Sequence, residues 1–149
     1  MQKASLKKIK VADVANHCFG TIAIDYNEFS KKDERQNIIL IHKNTKIPVT
    51  KTEPMQTMYE DQRGIKLTVT QSTSPEPDPQ FVKIIWEGEM KLPPGRPAGQ
   101  PLNITYSYDE NQIMHCFFED VNSNTKVEVD LSTDENGNED SAIDKFLVD

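Results

Sequence analysis

Two histidine–cysteine dipeptides, His17-Cys18 and His115-Cys116, are the residues whose types first suggest chemistry. Cysteine and histidine together bind zinc, or form a thiolate–imidazole dyad for nucleophilic attack. One segment that chelates zinc spaces its ligands by two to four residues, whereas adjacent strand residues point to opposite faces. Neither dipeptide can therefore chelate alone. A mixed site with one residue from each stays open, as does a hydrolase using Cys18 or Cys116 with a histidine; buried strand cysteines are the simpler reading. Ser132–Asp140, "STDENGNED", has the look of a calcium loop, but with Gly137 at the sixth position the twelfth is Ile143, where a bidentate glutamate is required. Asn103-Ile104-Thr105 is a glycosylation triplet inside a strand pattern. The chain contains no P-loop, dinucleotide fingerprint or nucleophile elbow, and no carboxylates spaced as an acid/base pair. The residues alone predict a binding module with no catalytic residues, no metal and no enzymatic activity.

The elements that would carry a binding site are short and alternating. In Gly64–Gln71, Ile65, Leu67 and Val69 share one face and Lys66, Thr68 and Thr70 the other. Leu102, Ile104, Tyr106 and Tyr108 alternate with polar residues in the same way, as do Val127, Val129 and Leu131. Less regular strands are expected at Val14–Ile24, Ile38–His42, Met55–Tyr59, Phe81–Glu87 and Ile113–Phe118. Helical period occurs only in Ser30–Gln36 and Ser141–Val148, each too short to stand alone. Proline and glycine mark Ser72–Gln80 and Leu92–Pro101 as loops. About eight short strands predict an all-β fold, an antiparallel sandwich or barrel, with a short C-terminal helix as its one addition.

Composition narrows the partners. The chain has 149 residues, 36% of them apolar, with a net charge of −7. One domain is expected, with a real core. From Asp109 to Asp149 there are 12 acidic and 2 basic residues, a solvating acidic end. The basic residues before it are spread thinly without interleaved aromatics, which argues against nucleic acid as partner. No stretch approaches the ~20 apolar residues of a membrane span, and the lysine-rich start lacks the apolar core of a secretory signal. Two cysteines are too few for a disulfide framework, so a cytoplasmic protein without membrane partners is expected.

Residues Ile38–Gln71, "IILIHKNTKIPVTKTEPMQTMYEDQRGIKLTVTQ", narrow the reading further. An apolar strand leads into Lys43-Asn44-Thr45-Lys46-Ile47-Pro48 and Lys51-Thr52; a second passes through Met55 and Thr57; and the turn Glu60-Asp61-Gln62 opens a third. This resembles the substrate-binding β-domain of the 70-kilodalton heat-shock (DnaK-type) chaperones. "LPPGRPAGQPLNITYSYDENQIMHCFFEDVNSNTKVEVDLS" is similar to that family's proline-glycine loop, hairpin and last strand, and "VADVANHCFGTIAI" to its linker and first strand. The likeness spans roughly residues 9 to 132.

The resemblance implies a sandwich whose upper loops cradle short, extended, apolar segments of unfolded proteins, in a stress-response chaperone. It divides the chain into a linker-like segment (1–13), the peptide-binding domain (14–132) and an acidic tail or start of a helical lid (133–149). It assigns Met55, Ile65 and Leu67 to a pocket for one aliphatic side chain, Met58 to an arch over the guest, and Gln62 to the turn beside it. Thr21 and Ile24 fall on the first-strand side of the cleft. Cooperation with an ATPase domain in cis, and with co-chaperones, follows from the family alone. ATP is implied only for that missing domain; no cofactor is expected in this chain. The alternative is a degenerate relative that keeps the sandwich as a structural or docking module, its cleft closed by the charged insertion Asp25–Asn37. Two departures stand out: Asn111-Gln112 replaces the usual acidic-glycine tip, where asparagine tolerates left-handed geometry so that the turn can survive, and Lys10-Val11-Ala12-Asp13 lacks the linker's leucine run.

Overall fold

Alternation in the sequence becomes alternation in burial. The computed structural model describes residues 13–133. Strand β6 (Pro101–Tyr108) buries Leu102, Ile104, Tyr106 and Tyr108, and β7 (Ile113–Asp120) buries Met114, Cys116, Phe118 and Asp120. These rows face the interior while their polar neighbours face out. Preceding them are β1 (Cys18–Asn27), β2 (Lys32–Ile41), β3 (Val49–Gln56), β4 (Gly64–Ser72) and β5 (Lys83–Lys91); β8 (Thr125–Ser132) follows. The fold is all-β: one four-stranded antiparallel sheet has the order β2-β1-β4-β5, the other β3-β6-β7-β8. Together they form a β-sandwich.

Aromatic residues bind the two layers. Tyr106 Oη donates to the Gly20 carbonyl at 2.6 Å, crossing from one sheet to the other. Phe19 meets Tyr108 edge to face at 5.2 Å, and Trp86 stacks on Phe118 at 5.7 Å. Such pairs add about 0.5–1.5 kcal/mol each beyond burial of their area. Asn37 closes one margin: its side-chain amide donates to the Glu76 carbonyl, its main-chain N–H to that of Pro77, and its Oδ1 accepts from Thr70.

Several expectations need correction. The helical period of Ser30–Gln36 does not become a helix. A single turn fixes too many dihedrals for one hydrogen bond, whereas Lys32–Gln36 pair in β2 with β1 from Ala23↔Gln36 out to Asn27↔Lys32, and Ser30 and Lys31 lie in the turn. Asp25–Asn37 is accordingly no loop but a two-stranded arm. Its tip is set by Asn27, whose Oδ1 accepts from the Phe29 and Ser30 N–H groups, with Lys31 left-handed at φ 63. Strand β3 lies earlier than Met55–Tyr59. As an exposed edge strand it buries little, and Pro54, which lacks an N–H, is tolerated there. In the β6–β7 turn the left-handed residue is Gln112 (φ 62), not Asn111, because Asp109 Oδ1 accepts both the Asn111 and Ile113 N–H groups. The helix expected at Ser141–Val148, nearly all of Ser132–Asp140, the tail and most of the linker-like segment lie outside the described residues.

Candidate functional site

Strands β1 and β4 begin as neighbours and then separate. They pair only at Cys18↔Ser72, Phe19↔Gln71 and Gly20↔Thr70. At that level β1 shifts register against β2 between Phe19 and Gly20, and β4 against β5 between Val69 and Thr70. Such bulges bend a strand and increase its twist. Beyond them each strand is paired on its outer side only. Gly20 is required at the first bulge: a Cβ there would lie 2.2 Å from the Ile38 carbonyl oxygen.

A cavity of about 590 Å³ fills the gap, within the range of ligand-binding clefts. Its floor is apolar: Leu67 and Met90 from one sheet, Leu102, Ile104 and Phe118 from the other. Thr21–Tyr26 of β1 form one wall and Ile65–Thr68 of β4 the other; Met55 and Met58 border it from β3 and the loop that follows. At the base the gap is fixed by Thr68, whose Oγ1 accepts the Ile22 N–H at 2.8 Å in place of a ladder bond.

Every residue assigned to peptide contact lines this one cavity: Thr21, Ile24, Met55 and Met58, and with them Gln62, Ile65 and Leu67. Their circumstances differ. Ile24 and Met58 are 42% and 48% exposed at the mouth. Met55 and Ile65 are half-buried against the core. Leu67 is fully buried, so it belongs to core and floor alike, and Thr21 is buried with its hydroxyl 3.4 Å from that of Thr68. Gln62 also braces the turn beside Met58. Its Oε1 accepts the Met58 N–H at 2.8 Å and its Nε2 donates to the Gly64 carbonyl at 3.1 Å, so the side chain holds the loop in shape.

The loop Thr57–Arg63 is further braced by the proline-glycine loop. Asp61 N–H donates to the Arg96 carbonyl, Gly95 N–H to Asp61 Oδ1, and Thr57 exchanges bonds with Gly99 and Gln100. Arg63 and the Gly95 N–H hold the Asp61 carboxyl below the usual range. Arg96 in turn forks onto buried Asp120 with contacts of 3.1 and 2.6 Å. Burial pushes the Asp120 carboxyl up, but Arg96 and Ser123 outweigh it and leave it below its ordinary value.

Sequence reasoning missed the floor residues Met90, Leu102, Ile104 and Phe118 as site residues. Alternation marks them as inward-facing, but nothing local says that two strands part above them. It also missed Tyr26 and Tyr59, 53% and 60% exposed beside the mouth. Among the described residues, five of the nine large apolar side chains left exposed, Ile24, Tyr26, Phe29, Met58 and Tyr59, belong to the arm or the mouth.

The histidine–cysteine pairs assemble no comparable site. Cys116 is buried, and burial, then Asp130, pushes its thiol up, away from thiolate. His115 points to the other face, between Asp130 (Nδ1, 2.7 Å) and Asp109 (Nε2, 2.8 Å). Cys18, also buried, takes the Lys43 N–H on its sulfur at 3.4 Å. Among the described residues no three histidine, cysteine or acidic side chains are grouped to hold a metal, and no helix is long and apolar enough to cross a membrane. No protein-family model matches the chain, and no curated protein sequence matches it.

Proposed function

We propose that the cleft between β1 and β4 binds short, extended, apolar segments of unfolded proteins, as in the chaperone family the sequence resembles. One observation carries this reading. Residues from Thr21 to Leu67, far apart in the chain and assigned to peptide contact by resemblance alone, line one open cavity with an apolar floor. The physics suits such a guest. The splayed strands leave main-chain donors and acceptors that an extended backbone satisfies without regard to sequence. The floor takes one aliphatic side chain, whose burial contributes ~1.5–3 kcal/mol. Micromolar affinity needs about 8 kcal/mol, which one pocket and several main-chain bonds supply together. Flexible Met55 and Met58 suit guests of varied shape. In this reading the chain has no enzymatic activity of its own and needs no cofactor. ATP would act through an ATPase domain in cis, with co-chaperones as further partners, in the cytoplasm.

Titration of a fluorescent leucine-rich heptapeptide tests the reading, repeated with Ile65→Asp, which sets an unpaired charge beside the apolar floor. Saturable binding that the substitution abolishes supports it. Absence of binding in both proteins favours a structural or docking module instead.

A further inference from the structure

Strand β8 ends its sheet with an open edge that carries its own complement. Thr133 N–H donates to the Gln112 carbonyl at 3.0 Å, and the β7–β8 register runs from Ile113↔Ser132 to Asp120↔Thr125 without a shift. Bonded and unbonded pairs alternate in an antiparallel ladder, so Val127, Val129 and Leu131 turn their main-chain groups to β7. Lys126, Glu128 and Asp130 turn theirs outward, and among the described residues nothing bonds to those outward groups. The other three sheet edges are each blunted against pairing. Strand β3 carries Pro54, β5 shifts register against β4 at Val69/Thr70, and on β2 the Asn37 N–H is taken by the Pro77 carbonyl. Strand β8 has neither a proline nor a bulge.

The charges along this edge are self-complementary. Lys126, Glu128 and Asp130 are exposed on the outer face. Lys126 Nζ lies 5.6 Å from the Phe117 ring centroid with Glu119 as its cross-strand neighbour, and Asp130 Oδ1 meets His115. A two-fold antiparallel pair of β8 strands can set Lys126 opposite either acid of a second copy. Opposite Asp130, it forces Glu128 against Glu128. Opposite Glu128, it forms an ion pair on each side of the axis and opposes no like charges. In that register the half-buried Val127, packed on the core, meets its own copy on the inner face.

We propose that β8 pairs with β8 of a second copy of this chain, Lys126 opposite Glu128, and joins two four-stranded sheets into one. Strand β8 contributes nothing to the lining of the cleft, so the pairing is independent of the peptide-binding reading. The two-fold reverses strand direction, and the two clefts of the pair open at opposite ends.

Sedimentation equilibrium of the full chain over a concentration series tests it. A reversible monomer–dimer equilibrium is expected, weakened by added salt as for exposed charge pairs. Lys126→Glu and Glu128→Lys each oppose like charges and should raise the dimer Kd about tenfold, the equivalent of about 1.4 kcal/mol. An equimolar mixture of the two variants sets an all-acidic pair of positions against an all-basic one. It should therefore dimerise to within about threefold of the parent, a rescue that loss of fold in either variant could not give. A thermal melt of each variant confirms that the sandwich is intact. A monomer at every concentration up to about 1 mM overturns the proposal. So does a dimer indifferent to both reversals, or one that mixing fails to restore.

Discussion

The Ile22 amide is held by the Thr68 hydroxyl at 2.8 Å, across a gap where the strands that carry them no longer pair. A side chain thus stands in for a ladder bond, and this one contact sets where the sandwich closes and where the cleft begins. Both residues are buried at the base of the cleft.

Thr68→Val keeps the shape but removes the acceptor and leaves a buried N–H unpaired. The expected loss of stability is about 1–3 kcal/mol, read from urea unfolding. Thr68→Ser should recover most of it. Equal stability of the valine variant would show that the gap is held by packing alone.

Gln62 uses both ends of its amide to fix the loop that carries Met58. Gln62→Ala should cost about 1–3 kcal/mol through the groups it leaves unpaired. It should also quicken peptide release, because Met58 no longer has a fixed position. Unchanged dissociation by stopped flow, with the stability loss present, would reduce Gln62 to a structural residue without influence on the cleft.

Gly20→Ala sets a methyl group 2.2 Å from the Ile38 carbonyl oxygen. That atom belongs to the backbone and cannot swing away, so β1 and β2 must move apart. A loss of about 1–3 kcal/mol is expected, as for an overpacked core. A melting temperature equal to that of the parent would mean that the bulge relaxes freely.

The pH dependence of stability follows from His115. Asp109 and then Asp130 raise its imidazole above the usual 6.5. Its contribution is therefore complete below about pH 6.5 and is lost as pH rises through the higher native value. The Asp109 carboxyl is pushed up by burial, but His115 and the Ile113 and Asn111 N–H groups outweigh this and leave it below 3.8. Its contribution is complete above that value and is lost as pH falls further. Urea midpoints should be higher near pH 5.5 than at pH 9, and His115→Gln should flatten the alkaline side. An alkaline slope that persists in the variant would assign it to other groups.

Much of the fold is legible in the sequence where a strand has one wet face. The rows Leu102–Tyr108 and Val127–Leu131 mark their strands by period alone. Strand β3 is less legible, because an edge strand with Thr50, Lys51 and Thr52 exposed in a row has little alternation to show. Ser30–Gln36 misleads because its charged residues fit a helix, while its pairing partner lies in β1 across the turn. The cleft is legible only through resemblance. Period marks Ile65 and Leu67 as inward-facing, but whether β1 lies against β4 there depends on two bulges and a threonine far apart in the chain. Gln62 lines the cavity as the resemblance implies, and its bracing of the loop is not legible, since a turn residue's partners cannot be read from its neighbours.

Amide resonances followed by NMR during titration with the unlabelled heptapeptide test the central claim most directly. Saturable shifts should gather at Ile24, Met58 and Ile65, around the open end of the cavity. Shifts confined to the outer face of the other sheet, at Ser107, His115 and Glu128, would contradict it, as would a spectrum that does not change.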